Sequence, residues 1–201
     1  MDIISLGDGL VKLGGRNLQM VVGPKLPDKL SGIDVVALTQ SSQTSTEVMV
    51  LDTPGEYEVG GILVTGIAAK LHTDSDGRGG VIYAVQADDV NVVILANVAP
   101  TLSNAQLEAM GQVDVLVIPV GGHGLTLDAP TAAAIVAQVE PKIVIPTHYD
   151  DGSSKYELLQ DKVEVFLKEL GATSQETTKY KLATKDLPEE TAVVILKTEA
   201  K

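Results

Sequence analysis

Three histidines and no cysteine bound the chemistry open to this chain of 201 residues. Without a thiol there is no disulfide framework, no cysteine-based zinc site and no sulfur nucleophile. The imidazoles are His72, in a loop with Asp74 and Asp76; His123, within Gly121-Gly122-His123-Gly124; and His148, within Ile145-Pro146-Thr147-His148-Tyr149. A neutral imidazole can bind a metal or move a proton near neutral pH, so each is a candidate. Residues 39–45, Thr-Gln-Ser-Ser-Gln-Thr-Ser, carry hydroxyls and amides only. No base is placed to activate Ser42 or Ser45, so serine hydrolysis is not expected there. The neutral groups can instead satisfy one another as a hydrogen-bonded plug, or form a polar pocket. Gly77-Arg78-Gly79-Gly80 offers backbone N–H groups to an anion, yet no helix opens after it, so it is not a Walker or dinucleotide motif. Pro54-Gly55 suits a tight turn, with Glu56 bracing a neighbouring loop.

The elements that position these residues follow from periodicity. Short β-branched runs separated by Gly, Asp and Asn predict strands at 2–6, 18–22, 35–38, 48–51, 62–69, 81–85 and 92–95. Gly14-Gly15 and Asp88-Asp89 read as hairpin turns. The second half alternates strand and helix. Ser103 with Gln106 forms a capping-box pattern for a helix ending near Gly111. Asp128 caps a second helix, with Ala132, Ile135, Val136 and Val139 on one face and Pro141 as its stop. Leu159, Val163, Phe166, Leu167 and Leu170 mark a third, ended by Gly171. Apolar runs at 113–120 and 143–145 read as buried strands, and further strands are expected at 179–182 and 192–197, around a turn at 186–188. A core with 44% hydrophobic and only 3% aromatic residues must be filled by branched aliphatics, which favours buried sheet. No repeat or long linker divides the chain, so one domain over 1–201 is expected.

Charge and hydropathy exclude some roles. A net charge of −12 disfavours binding to a phosphate backbone, so no nucleic-acid partner is expected. No apolar segment reaches the length of a membrane span, and residues 1–5 lack the basic start and apolar stretch of a signal peptide. No membrane partner and a cytoplasmic location are therefore expected.

Three segments carry a resemblance. They are Asp52-Thr53-Pro54-Gly55-Glu56-Tyr57-Glu58-Val59-Gly60-Gly61; residues 102–107 with 113–122, ending Ile118-Pro119-Val120-Gly121-Gly122; and Pro141-Lys142-Ile143-Val144-Ile145-Pro146-Thr147-His148-Tyr149. In order and spacing they resemble the small, lactonase-like bacterial branch of the metallo-β-lactamase-fold hydrolases, over about the first three quarters of the chain. The resemblance implies an α/β fold, a four-layer αββα sandwich with its site at one edge of two sheets. It also implies a His-x-His-x-Asp-His loop and a bridging Asp holding two metals, which generate hydroxide and polarise the bond attacked.

By position, Gln40, Ser42, Thr44 and Ser45 replace His, His, Asp and His, and Asn97 replaces the bridging Asp. His148 keeps the last ligand position and His72 fits another. Neutral hydroxyls and amides are weak zinc donors, and one or two imidazoles cannot offset the desolvation of two divalent cations. The expectation is a non-catalytic pseudoenzyme without metal or other cofactor, with Gln40, Ser42, Thr44, Ser45, His72, Asn97 and His148 lining a vestigial cleft. It would act through an unknown protein or small-molecule ligand, or by self-association as a homodimer. The alternative is a zinc-dependent hydrolase of a small ester, lactone or phosphoester with a site rebuilt around His148, which requires carboxylates clustered about that imidazole. A single-metal site from His72, His148 and Asp74 or Asp150 is one version of it.

Overall fold

The computed structural model describes residues 1–15, 17–40, 46–72, 79–152, 156 and 158–198. Two sheets face each other. The first contains β1 (Asp2–Gly7), β2 (Leu10–Gly14), β3 (Gln19–Gly23), β4 (Val35–Leu38) and β5 (Met49–Leu51). The second is built from β6 (Gly55–Val59), β7 (Ile62–Ala69), β8 (Gly80–Ala87), β9 (Val90–Ile94), β10 (Val115–Pro119) and β11 (Ile143–Thr147), with β12 (Ser174–Thr177) and β14 (Ala192–Leu196) from the C-terminal part. The short β13 (Tyr180–Lys181) crosses back to the first sheet, giving the orders β13-β1-β2-β3-β4-β5 and β12-β14-β11-β10-β9-β8-β7-β6.

The alternation of each strand decides which layer it feeds. Tyr83 and Val85, Val92 and Ile94, Val115 and Val117, and Ile143 and Ile145 point between the sheets, where they meet Ile3, Val11, Leu13, Met20, Val22, Val35 and Ala37. Their neighbours Ile82, Val93, Leu116, Ile118 and Val144 point to the other face, under the helices. Strands buried on both faces are apolar at every position, as the runs in β10 and β11 show. Helices α1 (Asn104–Met110), α2 (Ala129–Val139) and α3 (Val163–Leu170) all follow strands of the second sheet, and Met110, Ala132, Ile135, Val136 and Phe166 pack on that outer face. On the outer face of the first sheet, Leu10, Val21, Val36, Leu38 and Val50 are covered by Leu26, Leu30, Ile33 and Val48, so loops form that layer among the described residues.

Several local expectations hold in detail. The Ser103–Gln106 capping box forms, Asp128 accepts from the Thr131 N–H, and Asp88 and Asp89 adopt positive φ at the β8–β9 turn. Others need correction. Pro54-Gly55 leads directly into β6, where Glu56 pairs with Thr65 and is exposed, so it braces no loop. Helix α3 starts at Val163 rather than at Leu159, because Gln160 uses its side-chain amide on the Leu158 and Leu159 carbonyls and holds that segment out of a helix. The turn expected at 186–188 is a 3₁₀ turn at Thr184–Asp186.

Candidate functional site

Register brings the candidate residues to one edge of the sandwich. Strands β9, β10 and β11 are parallel, so Asn97, Gly121 and His148 all follow their C-terminal ends. Strand β4 runs parallel to β3, whose end at Gly23 lies against Leu10 in the β1–β2 hairpin. Gln40, just past β4, makes an antiparallel bridge with Gly80, and the Val81 N–H donates to the Thr39 carbonyl at 3.0 Å. Leu71 bridges Val98, and the His72 N–H donates to the Asn97 carbonyl at 2.8 Å. The strand ends of both sheets therefore deliver Gln40, His72, Asn97 and His148 to the same rim. Ser42, Thr44 and Ser45 lie outside the described residues, as do Asp74, Asp76 and Arg78.

His148 sits in a left-handed turn, φ 49°, and its ring occupies the space a Cβ on Gly9 would need. Gly121 gives equally close passage to the His148 carbonyl and to the Gln160 side chain. Ser5, Asp8, Tyr149, Asp151 and Tyr156 line the small cavity beside the imidazole, and the Tyr156 ring lies 5.8 Å from it, centroid to centroid. Burial lowers the pKa of His148 to about 4, against an opposing pull from the Asp8 carboxylate, so the ring is neutral at physiological pH.

The other two imidazoles have different neighbours. His72 stands beside Asn97 and within electrostatic reach of Asp128, whose hydrogen bonds from Thr131 hold its carboxyl below the usual range. His123 is exposed, and its Nε2 lies 3.0 Å from Asp161 Oδ1. The loop carrying it is tied down by buried polar groups. Thr126 Oγ1 accepts from the Gly122 N–H at 2.9 Å and donates to Gln160 Oε1, and the Asp161 N–H donates to the Gly121 carbonyl.

Among the described residues, Thr39 Oγ1, His72 Nδ1, Asn97 Oδ1 and His148 Nδ1 are buried without a hydrogen-bond partner. All of them lie on this rim. Unmade hydrogen bonds of buried groups cost about 1–3 kcal/mol each, so their concentration here makes the rim the candidate site. Thr39 also shows that the polar loop is not a self-satisfied plug at its described start. Asp8 and Asp151 line the cavity beside His148, but they do not form with it a group of three donors able to hold a metal among the described residues.

The donor set limits which metal shell the chain can form. His148, His72 and Asn97 each offer one suitable atom, but no three or more His, Asp or Glu side chains converge on one point among the described residues. The expected His72–His148–Asp150 trio is not assembled: Asp150 Oδ1 instead accepts from the Gly152 N–H in a local turn. The described residues do not close a two-metal shell, and no reaction step can be drawn through one from them.

Sequence reasoning missed Asp8, Gly9, Tyr156 and Gln160. The Gly7-Asp8-Gly9 punctuation between two apolar runs was the available signal for the hairpin that meets His148.

Two facing sheets with helices outside and polar residues gathered at the strand ends define a metallo-β-lactamase-like sandwich. Residues 11–148 match the family model described as a beta-lactamase superfamily domain, and the chain belongs to that family. It is 30% identical over 157 residues to a UPF0173 protein of Pyrococcus furiosus, covering 75% of this chain and 67% of that one. It is 29% identical over 126 residues to a UPF0173 metal-dependent hydrolase of Pyrococcus horikoshii, covering 56% and 55%. The chain thus spans about half the length of the latter relative. A crystal structure from Thermotoga maritima, named as a candidate Zn-dependent hydrolase of the metallo-beta-lactamase superfamily, superposes with a TM-score of 0.76 at 25% identity, over 98% of this chain and 99% of that one. A metallo hydrolase of Ignicoccus hospitalis shares the fold, with a TM-score of 0.64 at 13% identity, over 90% and 98%.

These findings correct two expectations. The reading of a non-catalytic pseudoenzyme acting through binding is overturned, because relatives are named metal-dependent hydrolases and favour the hydrolase alternative. The expectation of no cofactor falls with it, since the same relatives point to a metal. The physical reason is that loss of individual ligand letters was read as loss of the site, while part of the loop concerned lies outside the described residues. No helix among the described residues is long and apolar enough to cross a membrane.

Proposed function

We propose that the chain is a metal-dependent hydrolase of a small ester, lactone or phosphoester, working at the sheet edge around His148. The observation that carries this reading is His148 itself. Its imidazole follows a parallel strand, is kept neutral by burial, and has an Nδ1 shielded from water without a partner. A neutral imidazole so placed can offer a lone pair or hold a proton at the edge where the family concentrates its chemistry. A bound metal would supply hydroxide near neutral pH and polarise the bond attacked.

The chain's own residues have separable tasks in this reading. Gly9 and Gly121 leave room for the His148 ring and peptide, which fixes the direction of the imidazole. Thr39 and Asn97 present unpartnered oxygens that can orient a polar substrate group. Asp8 lines the cavity beside His148 and favours positive charge there. Gln40 and His72 belong to the proposed rim, and a cytoplasmic setting is proposed with it.

The reading is tested by assaying p-nitrophenyl esters, simple lactones and p-nitrophenyl phosphate with protein reconstituted in turn with zinc, manganese and iron. Turnover that a chelator abolishes and His148→Ala removes is expected. Turnover no faster than the metal-only blank with every substrate would refute it.

A further inference from the structure

Apart from Tyr83, the buried polar side chains among the described residues are Thr39, Asn97, Thr126 and Gln160. Thr39 and Asn97 belong to the rim. Thr126 and Gln160 stand outside the cavity beside His148 and bond each other, Thr126 Oγ1 donating to Gln160 Oε1 at 3.4 Å. A buried amide is costly unless its donors and its acceptor are all occupied, so the groups that occupy this one show what it holds together.

Gln160 joins two loops. Its side-chain N–H groups donate to the Leu158 carbonyl at 3.2 Å and the Leu159 carbonyl at 2.9 Å, which fixes the chain directly before α3. Its Oε1 accepts from Thr126, whose Oγ1 in turn accepts the Gly122 N–H at 2.9 Å. One side chain therefore ties the approach to α3 to the loop that follows β10. A carboxylate lacks the donors for this task, and an aliphatic side chain lacks donors and acceptor alike.

The segment so fixed grips the turn that carries His148. The Asp161 N–H donates to the Gly121 carbonyl at 2.8 Å, and the Asp161 carbonyl accepts from the Asp150 N–H at 2.9 Å, two residues past His148. Gly121 lies at the centre of this arrangement. A Cβ there would meet both the His148 carbonyl and Gln160 Oε1, so the amide, the glycine and the His148 peptide are packed against one another. His148 has φ of 49°, a left-handed conformation that a residue with a Cβ keeps only when its surroundings hold it. Its ring is thereby laid over Gly9, with Cε1 nearest the point a Cβ on Gly9 would take.

We infer that Gln160 is a positioning residue for His148. Its amide locks the 158–161 segment onto the Gly121 loop, and this clip holds the His148 turn so that the imidazole keeps its direction over Gly9. Gln160 acts only through the His148 peptide and the loop beside it. Its effect on turnover rests on the hydrolase reading above.

The test reads the direction of the imidazole without needing turnover. In NMR spectra of the full-length protein, the His148 Hε1 proton, identified by its absence from His148→Gln, should show a strong nuclear Overhauser contact with the Gly9 Hα protons. Gln160→Met keeps the bulk of the side chain, removes its hydrogen bonds, and should lose that contact. Asn91→Ala is the control. The Asn91 amide likewise donates to two carbonyls, of Met110 at 2.9 Å and Gln112 at 2.7 Å, but near the start of β9, at the opposite end of the sheet from the rim. It should lower the urea midpoint comparably and keep the contact. A contact retained in Gln160→Met, or lost equally in both variants, would overturn the inference. Should Gln160→Met not fold, Thr126→Val removes the same relay more gently, and the same two outcomes decide.

Turnover separates this claim from the hydrolase reading. Where the parent hydrolyses a substrate, Gln160→Met is expected to lower kcat about tenfold with KM within about twofold, as misdirection of a reacting group requires. A parental kcat would remove the positioning role and leave the hydrolase reading standing. If nothing is hydrolysed with any metal while the Gly9 contact still depends on Gln160, the hydrolase reading falls and the hold on His148 stands.

Discussion

Acid should destabilise this protein through one identifiable residue. Burial lowers the pKa of His148 from 6.5 to about 4 in the folded state. Above pH 6.5 the imidazole is neutral folded or unfolded, and the difference has no effect. As pH falls from 6.5 toward 4, the unfolded chain takes up a proton that the folded chain refuses, so stability declines and the loss is complete below the folded value. The shift is worth about 3 kcal/mol in full, and most of that is already lost by pH 4.5. Asp128 is separable, because its lowered carboxyl pKa costs stability only once pH falls below its ordinary value of 3.8. Urea denaturation of chelator-treated protein at pH 7.5 and 4.5 would measure the decline, with His148→Gln as a side chain that does not titrate. The parent should lose about 2–3 kcal/mol more than the variant over that interval. Parallel declines in the two proteins, or an imidazole NMR titration with a midpoint near 6.5, would refute the reasoning.

Two further substitutions probe the frame that holds the site. Tyr83→Phe removes a buried hydroxyl lying 2.9 Å from the Leu51 carbonyl and 3.2 Å from the Leu38 carbonyl, so urea denaturation should show a loss of about 1–2 kcal/mol; an unchanged midpoint would mean the carbonyls find other partners. Gly121→Ala places a methyl group against the His148 carbonyl, a backbone atom that cannot swing aside, and against the Gln160 side chain. It should cost about 1–3 kcal/mol in thermal or urea unfolding and depress turnover further than that loss explains; a variant with parental stability and activity would show that the loop is free to shift.

The legibility of this fold varied with how local the information was. Strands β4 and β7 were fixed to the residue by β-branched runs between turn residues, and α1 by its capping box, because each signal lies within the element itself. Strand β6 was read as a turn, since an edge strand with alternating exposed glutamates has only one face to bury. Strand β12, Ser-Gln-Glu-Thr, carries no apolar pattern and exists through its pairing with β14. The site was legible only in part. Strand order and parallel direction bring the segments that carry His148, His72, Asn97 and Gln40 to one edge, so their nearness follows from topology. The contacts of His148 with Gly9 and Asp8 join residues about 140 positions apart, and nothing local in either segment announces them. The inference from missing ligand letters to missing activity failed for a related reason. Composition of one loop says which donors are absent from that loop, and it is relatives named as metal-dependent hydrolases that carry the correction.

The most direct measurement is metal content by elemental mass spectrometry on tag-free protein purified without chelator, with ester and lactone turnover followed on the same sample. The account predicts about one or two metals per chain and turnover that falls with metal removal and returns on its replacement. Protein that retains no metal, binds none on titration and hydrolyses nothing above the blank would contradict it.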